Sequence, residues 1–309
     1  MTKNIIKTIN DHSSNILLAG LITSLCPRYF LKKSLENNKG RQNSWKGKKS
    51  CLTISFDCDY PRDVEAMPDV LKLLKKYNFK TSFACVGHWI EKYPGEHKMI
   101  LDYGHEIVNH TFSHPDNEIL SPGRKFKLIC REEKKAEIEK CHDVCKDILG
   151  YSPVGCRIPH FKNLFSVEIY GILKDLGYKY SSSTLLTNTY SHGMPFMAKE
   201  EIWEFPLTTC PKHPFTVFDT WHSFNSKRLF YRMIHSTEEE YINLFKELVE
   251  LGISTNSYIN IYIDPFDVLK MNKFGSILDF INEKEPEMLV ATYKDIIEGH
   301  EKATEREHS

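Results

Sequence analysis

The sequence has no charge bias. Lysine and arginine total 41, aspartate and glutamate total 41, and the formal net charge over 309 residues is zero. Neither a nucleic-acid surface nor a strongly acidic partner is indicated, so no nucleic acid is expected among its partners. Long apolar runs are missing too. Residues 16–26 are apolar, but a bilayer span takes about 20 such residues, and no secretory cleavage pattern follows them. No CxxC pair occurs, and the nine cysteines are an odd number scattered through apparent strands and helices. That usage fits packed thiols in a reduced, cytoplasmic chain better than a disulfide framework. Fixed-period repeats and low-complexity tracts are absent, which excludes solenoids and fibres.

What is present is enough apolar material for a large core, 41% of residues with 12% aromatic, arranged as an alternation. Apolar, β-prone runs fall at 52–56, 81–86, 107–109, 154–158, 178–181, 202–205, 259–263 and 288–292. Between them lie stretches of helical period, such as Met67, Val70, Leu71 and Leu74, or Tyr241, Leu244, Phe245 and Leu248. Helix stops are expected at Gly104, Gly150, Gly177 and Gly252. Alternation of this kind means α/β, a parallel sheet with helical crossovers, and seven or eight parallel strands suggest a barrel. The expected division is an N-terminal extension over 1–50, with a helical segment and a polar linker at 34–50, a barrel over 51–297, and a charged tail over 298–309. Residues 16–33, with Arg28, Lys32 and Lys33 after the apolar run, are expected to pack as a helix or to make peripheral contact with a membrane surface. The Pro- and aromatic-rich stretch 206–232 shows no period and is expected to be a long functional loop.

Polar residues keep phase with the strands. Asp57 and Asp59 follow the first, His110 the third, Arg157 ends the fourth and Asp264 follows the seventh. All fall at C-terminal strand ends, where such barrels place chemistry. His110 and His114 are four apart, and neutral imidazole is the commonest metal ligand. One carboxylate added to the pair gives a three-ligand set with an open position for water, and the other carboxylate is then available to act on that water.

Ser55-Phe56-Asp57-Cys58-Asp59, His110-Thr111-Phe112-Ser113-His114 and Arg157-Ile158-Pro159-His160-Phe161 together resemble the polysaccharide deacetylases with a NodB homology domain, over about residues 51–297. The resemblance implies a distorted (β/α) barrel and an enzyme: a metal-dependent hydrolase, usually zinc-dependent, that removes an N-acetyl group from an amino-sugar or glycan precursor. It assigns Asp59, His110 and His114 to a divalent metal, Asp57 to the general base and Arg157 to orienting that base. Arg157 is expected to keep Asp57 ionised by lowering its pKa. A backbone N–H near Tyr60 is expected to face the developing oxyanion.

One departure stands out. The family brings a His after its last motif strand, often as His-Pro, where this chain has Asp264-Pro265. The general acid is therefore expected either at Asp264 itself or on a histidine of the long loop, His222 rather than His213, with Asp264 as its carboxylate partner. Trp221, beside His222, is the expected substrate contact, with Tyr60; the other loop aromatics are expected to pack. A cytoplasmic site favours a nucleotide- or lipid-linked glycan precursor. Two alternatives remain: an amidohydrolase acting on a non-sugar cyclic amide or formamide, and a catalytically silent binding protein.

Overall fold

The computed structural model describes residues 25–41, 45–160, 168–225 and 237–307. The eight expected strands all form. In chain order they are β1 (Ser50–Cys58), β2 (Ser82–Cys85), β3 (Glu106–Asn109), β4 (Gly155–Cys156), β5 (Tyr180–Ser181), β7 (Trp203–Glu204), β10 (Tyr258–Ile263) and β11 (Met288–Val290). They are joined by β6 (Phe196–Met197), β8 (Thr209–Cys210) and β9 (His213–Val217). The main sheet runs β10-β1-β2-β3-β4-β5-β7-β6, with β11 on β1. All neighbours are parallel except the β6–β7 pair, which is antiparallel. The sheet is thus a curled, mixed half-barrel rather than a strictly parallel barrel. Its gap is crossed by residues 207–208: Leu186 N donates to Leu207 O (2.9 Å) on one side and Thr208 N to Asn260 O (2.8 Å) on the other.

The helices are α1 (Pro27–Glu36), α2 (Pro61–Lys75), α3 (Gly87–Lys92), α4 (Pro94–Asp102), α5 (Arg131–Leu149), α6 (Ile169–Asp175), α7 (Glu238–Thr255), α8 (Pro265–Lys270), α9 (Phe274–Lys284) and α10 (Tyr293–Glu307). Local chemistry sets many of their ends. Helix α5 has Glu132 and Glu133 in its first turn and stops at Gly150, left-handed at φ 67°. In α2, Pro61 fills the first turn, where no N–H is needed, and the Asp63 carboxylate accepts from Tyr60 N (3.0 Å). The α7 expectation needs correction: Gly252 does not end that helix, which runs on to Thr255 with left-handed Asn256 as its cap. A Cβ on Gly252 would lie 2.6 Å from Ile259 Cγ1. The residue is small because α7 packs tightly on β10. Ser166, a residue type suited to N-capping a helix ahead of α6, lies outside the described residues.

Three boundaries also differ from expectation. Among the described residues of 27–50 there is no free linker. Helix α1 buries Leu31 and Leu35 in the main core, and Trp45 is 2% exposed, stacked on Tyr258 at 6.0 Å between centroids. These side chains sit on apolar surface that the barrel alone would leave open. At the other end, the charged stretch continues as helix α10. His300 stacks on Trp203 (5.0 Å) and Lys179 pairs with Glu301 (2.8 Å). The loop at 206–232 contains the β8–β9 hairpin, whose β-prone Thr216 and Val217 are masked in the sequence by Pro211 and Pro214. Residues 226–232 of that loop, and 16–24 of the apolar run, lie outside the described residues. Among the described residues no helix is long and apolar enough to cross a membrane, and all nine cysteines are free thiols.

Candidate active site

Strand β1 is buried along its whole length and delivers Asp57 and Asp59 two residues apart. Asp57 is 3% exposed and paired to Arg157, which is fully buried. The remaining guanidinium donors are satisfied by Ser55 Oγ (2.9 Å), Tyr293 OH (2.6 Å), and Ser182 through both Oγ and O (3.2 Å each). Asn260 Oδ1 in turn accepts from Tyr293 OH (2.8 Å). A buried charge is tolerable only when paired and fully hydrogen-bonded, and here the whole upper layer of the barrel serves that purpose. Burial pushes the Asp57 carboxyl above its usual range, while the Arg157 and His110 charges act against the rise. Arg157 lowers it as expected, but desolvation outweighs the ion pair and the net shift is upward. A raised carboxylate is the more basic one.

Asp59 points the other way, into a cluster. His110 Nε2 lies 3.2 Å and His114 Nε2 3.5 Å from Asp59 Oδ1. Ligating atoms of the three residues lie within 4.8 Å of one another, a grouping that no other His, Cys, Asp or Glu side chains make among the described residues. His110 Nδ1 donates to Arg157 O (2.7 Å), which leaves its Nε2 as a lone-pair donor. The His114 ring is lowered to about 4 by burial and by the neighbouring His110 and His160, against the pull of Asp59; it is neutral near pH 7. Asp59 Oδ1 is buried and has no hydrogen-bond partner. Without a metal, an orphan carboxylate oxygen facing two imidazole nitrogens is satisfied only by protonating a ring, whereas a divalent cation meets the lone pairs of all three at once, so the residues fit such an ion. The Asp59 carbonyl is fixed by Trp89 Nε1 (2.9 Å) and Asn117 Nδ2 (2.9 Å), two supports with no sequence signature. His160, exposed and with φ 46°, lies beside the cluster, its ring 6.0 Å from that of His114.

The other expected residues gather at the same mouth with altered partners. Asp264 caps α8 and is 8% exposed. Burial and the charges of Asp63 and Asp59 push its carboxyl well above the usual range. Its backbone N donates to Thr220 Oγ1 (3.0 Å), tying the long loop to the end of β10. The loop histidine is not buttressed by Asp264 as expected; its partner is Asp219. His222 Nδ1 donates to Asp219 Oδ2, His222 N to Asp219 Oδ1 (2.6 Å), and Tyr262 OH to Asp219 Oδ2 (3.0 Å). Three residues apart in one turn, Asp219 reaches the ring without any help from β10. The spacing Asp219-Thr220-Trp221-His222 was the available signal. His213 lies on β9. Trp221 is 39% exposed. Phe218 is buried on Tyr241 (4.7 Å), Phe224 packs on the same ring (5.3 Å), and Trp203 stacks on His300. Tyr60 N is already bonded to Asp63, because Tyr60 is the N-cap of α2. That N–H is not available to an oxyanion.

Residues 45–181 match the family model described as polysaccharide deacetylase. Over those residues the chain is similar to the polysaccharide deacetylases. The peptidoglycan-N-acetylglucosamine deacetylase of Bacillus cereus is 33% identical over 112 residues, 36% of this chain and 37% of that protein. The peptidoglycan deacetylase of Helicobacter pylori is 31% identical over 119 residues, 38% of this chain and 37% of that one. The chain thus spans little more than a third of the length of these curated relatives. Likeness of fold extends further: a Mycobacterium smegmatis structure assigned to the polysaccharide deacetylases superposes with TM-score 0.66 at 19% identity, covering 84% of this chain and 92% of that one. Within the deacetylase match lie Asp57, Asp59, His110, His114 and Arg157. The loop bearing His222 and the strand end bearing Asp264 lie beyond it.

Proposed function

We propose that this chain hydrolyses the N-acetyl amide of an amino-sugar or glycan precursor in the cytoplasm, using a divalent metal, zinc by family resemblance. The observation that carries the reading is the buried Asp57–Arg157 pair set directly beside the Asp59, His110 and His114 cluster. A silent binding protein has no use for a desolvated base and five contacts on its orienting guanidinium.

An amide is a weak electrophile with a poor leaving group. A divalent ion held by Asp59, His110 and His114 supplies Lewis acidity toward the acyl oxygen and toward water. Asp57 takes the proton of the attacking water, and Arg157 fixes the direction of its carboxylate. The departing amine needs a proton, and we assign its delivery to His222, whose Nδ1 is held by Asp219. Asp264 lines the same mouth as a buried carboxyl. Trp221, exposed beside His222 at 5.0 Å between rings, offers an apolar face to a sugar ring.

Acetate release from N-acetylhexosamine conjugates, with and without chelator, tests the proposal. Asp57→Asn should keep the bound metal and lose about 10²–10⁴-fold in turnover. Release of formate but not acetate from the matched conjugates would move the assignment to formamide hydrolysis. Turnover unaffected by Asp57→Asn would remove the base.

A further inference from the structure

Arg62 stands at the rim of this mouth, three residues beyond Asp59. Its guanidinium carbon lies 5.0 Å from the Tyr60 ring centroid and 5.1 Å from that of Phe266. Tyr60 directly follows Asp59, and Phe266 comes two residues after Asp264, so the cation sits between the metal cluster and the end of β10. Carboxylates are close by, yet none takes it. The Asp63 oxygens accept from Tyr60 N (3.0 Å) and Phe266 N (3.4 Å), and Asp267 pairs with Lys270 (3.1 Å). Among the described residues Arg62 makes no ion pair, and it is exposed. A second cation shares the aromatic support, with Lys270 Nζ 4.2 Å from the Phe266 centroid.

Rings cover the faces of a guanidinium and leave its in-plane N–H donors at the edge. A fork set in this way has lost much of its freedom before a ligand arrives, so little more is lost on binding. The acyl amide is neutral and makes no demand for such a group. We propose that Arg62 forms an oxyanion subsite at the rim, taking a phosphate or carboxylate carried by the substrate outside the acyl group. The inference rests on the hydrolase reading for its catalytic consequence, but binding tests it separately.

Three substrates separate the cases: UDP-N-acetylglucosamine carries a diphosphate, an N-acetylmuramic-acid-containing disaccharide a carboxylate, and N-acetylchitotriose no charge. The expected result is a kcat/KM preference for at least one anionic substrate over the neutral one. That preference should fall about 10- to 100-fold in Arg62→Met, as expected for lost charge-assisted hydrogen bonds, and the change should reside in KM. Phe266→Leu, which keeps the charge but removes half of the clamp, should lose part of the same preference. Which anion is preferred names the source of the charge. UDP and N-acetylmuramic acid, each titrated calorimetrically into metal-loaded wild type and Arg62→Met, give a readout independent of turnover, since any contribution of the metal is common to both proteins. Binding of either weakened in Arg62→Met, with no substrate hydrolysed, would keep the subsite and overturn the hydrolase reading. Hydrolysis with equal losses on charged and neutral substrates, or affinity for both UDP and N-acetylmuramic acid unchanged by the substitution, overturns the subsite.

Discussion

Asp219 changes what is expected of His222. A fully buried carboxylate that accepts from Nδ1 fixes the tautomer and orientation of the ring. Replacing it as Asp219→Asn preserves shape and removes the charged acceptor. The ring loses its orienting partner, so kcat should fall, with KM little changed. His222→Gln should lose turnover by about 10²–10⁴-fold. Turnover unmoved by either variant would shift the proton-donating role to Asp264. The residues legible in the sequence were those in short motifs, Asp57 and Asp59, His110 and His114, and Arg157. There spacing along one strand end or one turn sets spacing in space. The partner of His222 was less legible because carboxylates compete for it through the fold. Asp264 looked suitable by its place after a late strand, yet a loop aspartate three residues away reaches the ring first. Trp89 and Asn117 had no sequence signal at all, since a side chain that holds a carbonyl carries no motif.

At the scale of strands, tight positions follow from close packing across the barrel. An ideal Cβ on Gly155 in β4 would lie 1.7 Å from Tyr180 Cζ. Gly155→Ala must therefore drive out a ring that packs against Phe205 (5.5 Å) and Tyr293 (5.2 Å) and donates to Glu106 (2.7 Å). We expect a loss of about 3 kcal/mol or more in urea unfolding, and a midpoint within error of wild type would contradict the packing. Glu106, at the start of β3, receives Ser82 Oγ (2.7 Å) and Tyr180 OH, with Lys294 N at the start of α10 (3.4 Å). Burial raises its carboxyl to about 7 from 4.5, the hydrogen bonds pull against the rise and Asp295 adds to it. The folded protein therefore binds this proton more tightly than the unfolded chain. Its contribution to stability is complete below about pH 4.5 and declines as pH rises through about 7, by about 3 kcal/mol in total. Glu106→Gln should flatten the fall in Tm between pH 5 and 8, and an unchanged slope would reject the shift. The eight long-recognised runs became strands because each is an apolar β-prone stretch bounded by a turn. Strands β6, β8 and β9 escaped notice because two are only two residues long and the third is interrupted by Pro214; pairing, not local pattern, makes them strands.

Across the whole molecule, the division at residue 50 read from the sequence does not survive the packing of 27–50. The polar stretch looked like a linker because Asn, Gly, Ser and Lys dominate it, and composition cannot show that a few apolar residues within it find a common surface. Leu31 (1% exposed) and Leu35 (0%) enter the main core. Asn38 Nδ2 donates to Ser257 Oγ (3.0 Å) and His192 O (2.9 Å), and Ser34 Oγ meets His192 Nδ1 (3.4 Å). Trp45 lies on Tyr258 and edge-on to His300 (6.3 Å), closing the end of the barrel away from the metal cluster. Truncation of a buried leucine typically costs about 2–5 kcal/mol and of a buried Trp about 3–5 kcal/mol. Single domains hold about 5–15 kcal/mol in total. A chain beginning at Gly47 removes two such leucines and the tryptophan together, a loss comparable to the whole stability, and it uncovers Tyr258 and the α7 face. It should be insoluble or melt without cooperativity. Leu35→Ala separates loss of packing from loss of chain. It should fold, bind metal and melt cooperatively, with stability lower by about 2–5 kcal/mol. If the chain from Gly47 melts as sharply as the full chain, or Leu35→Ala costs less than about 0.5 kcal/mol, then α1 and Trp45 lie on the barrel without supporting it.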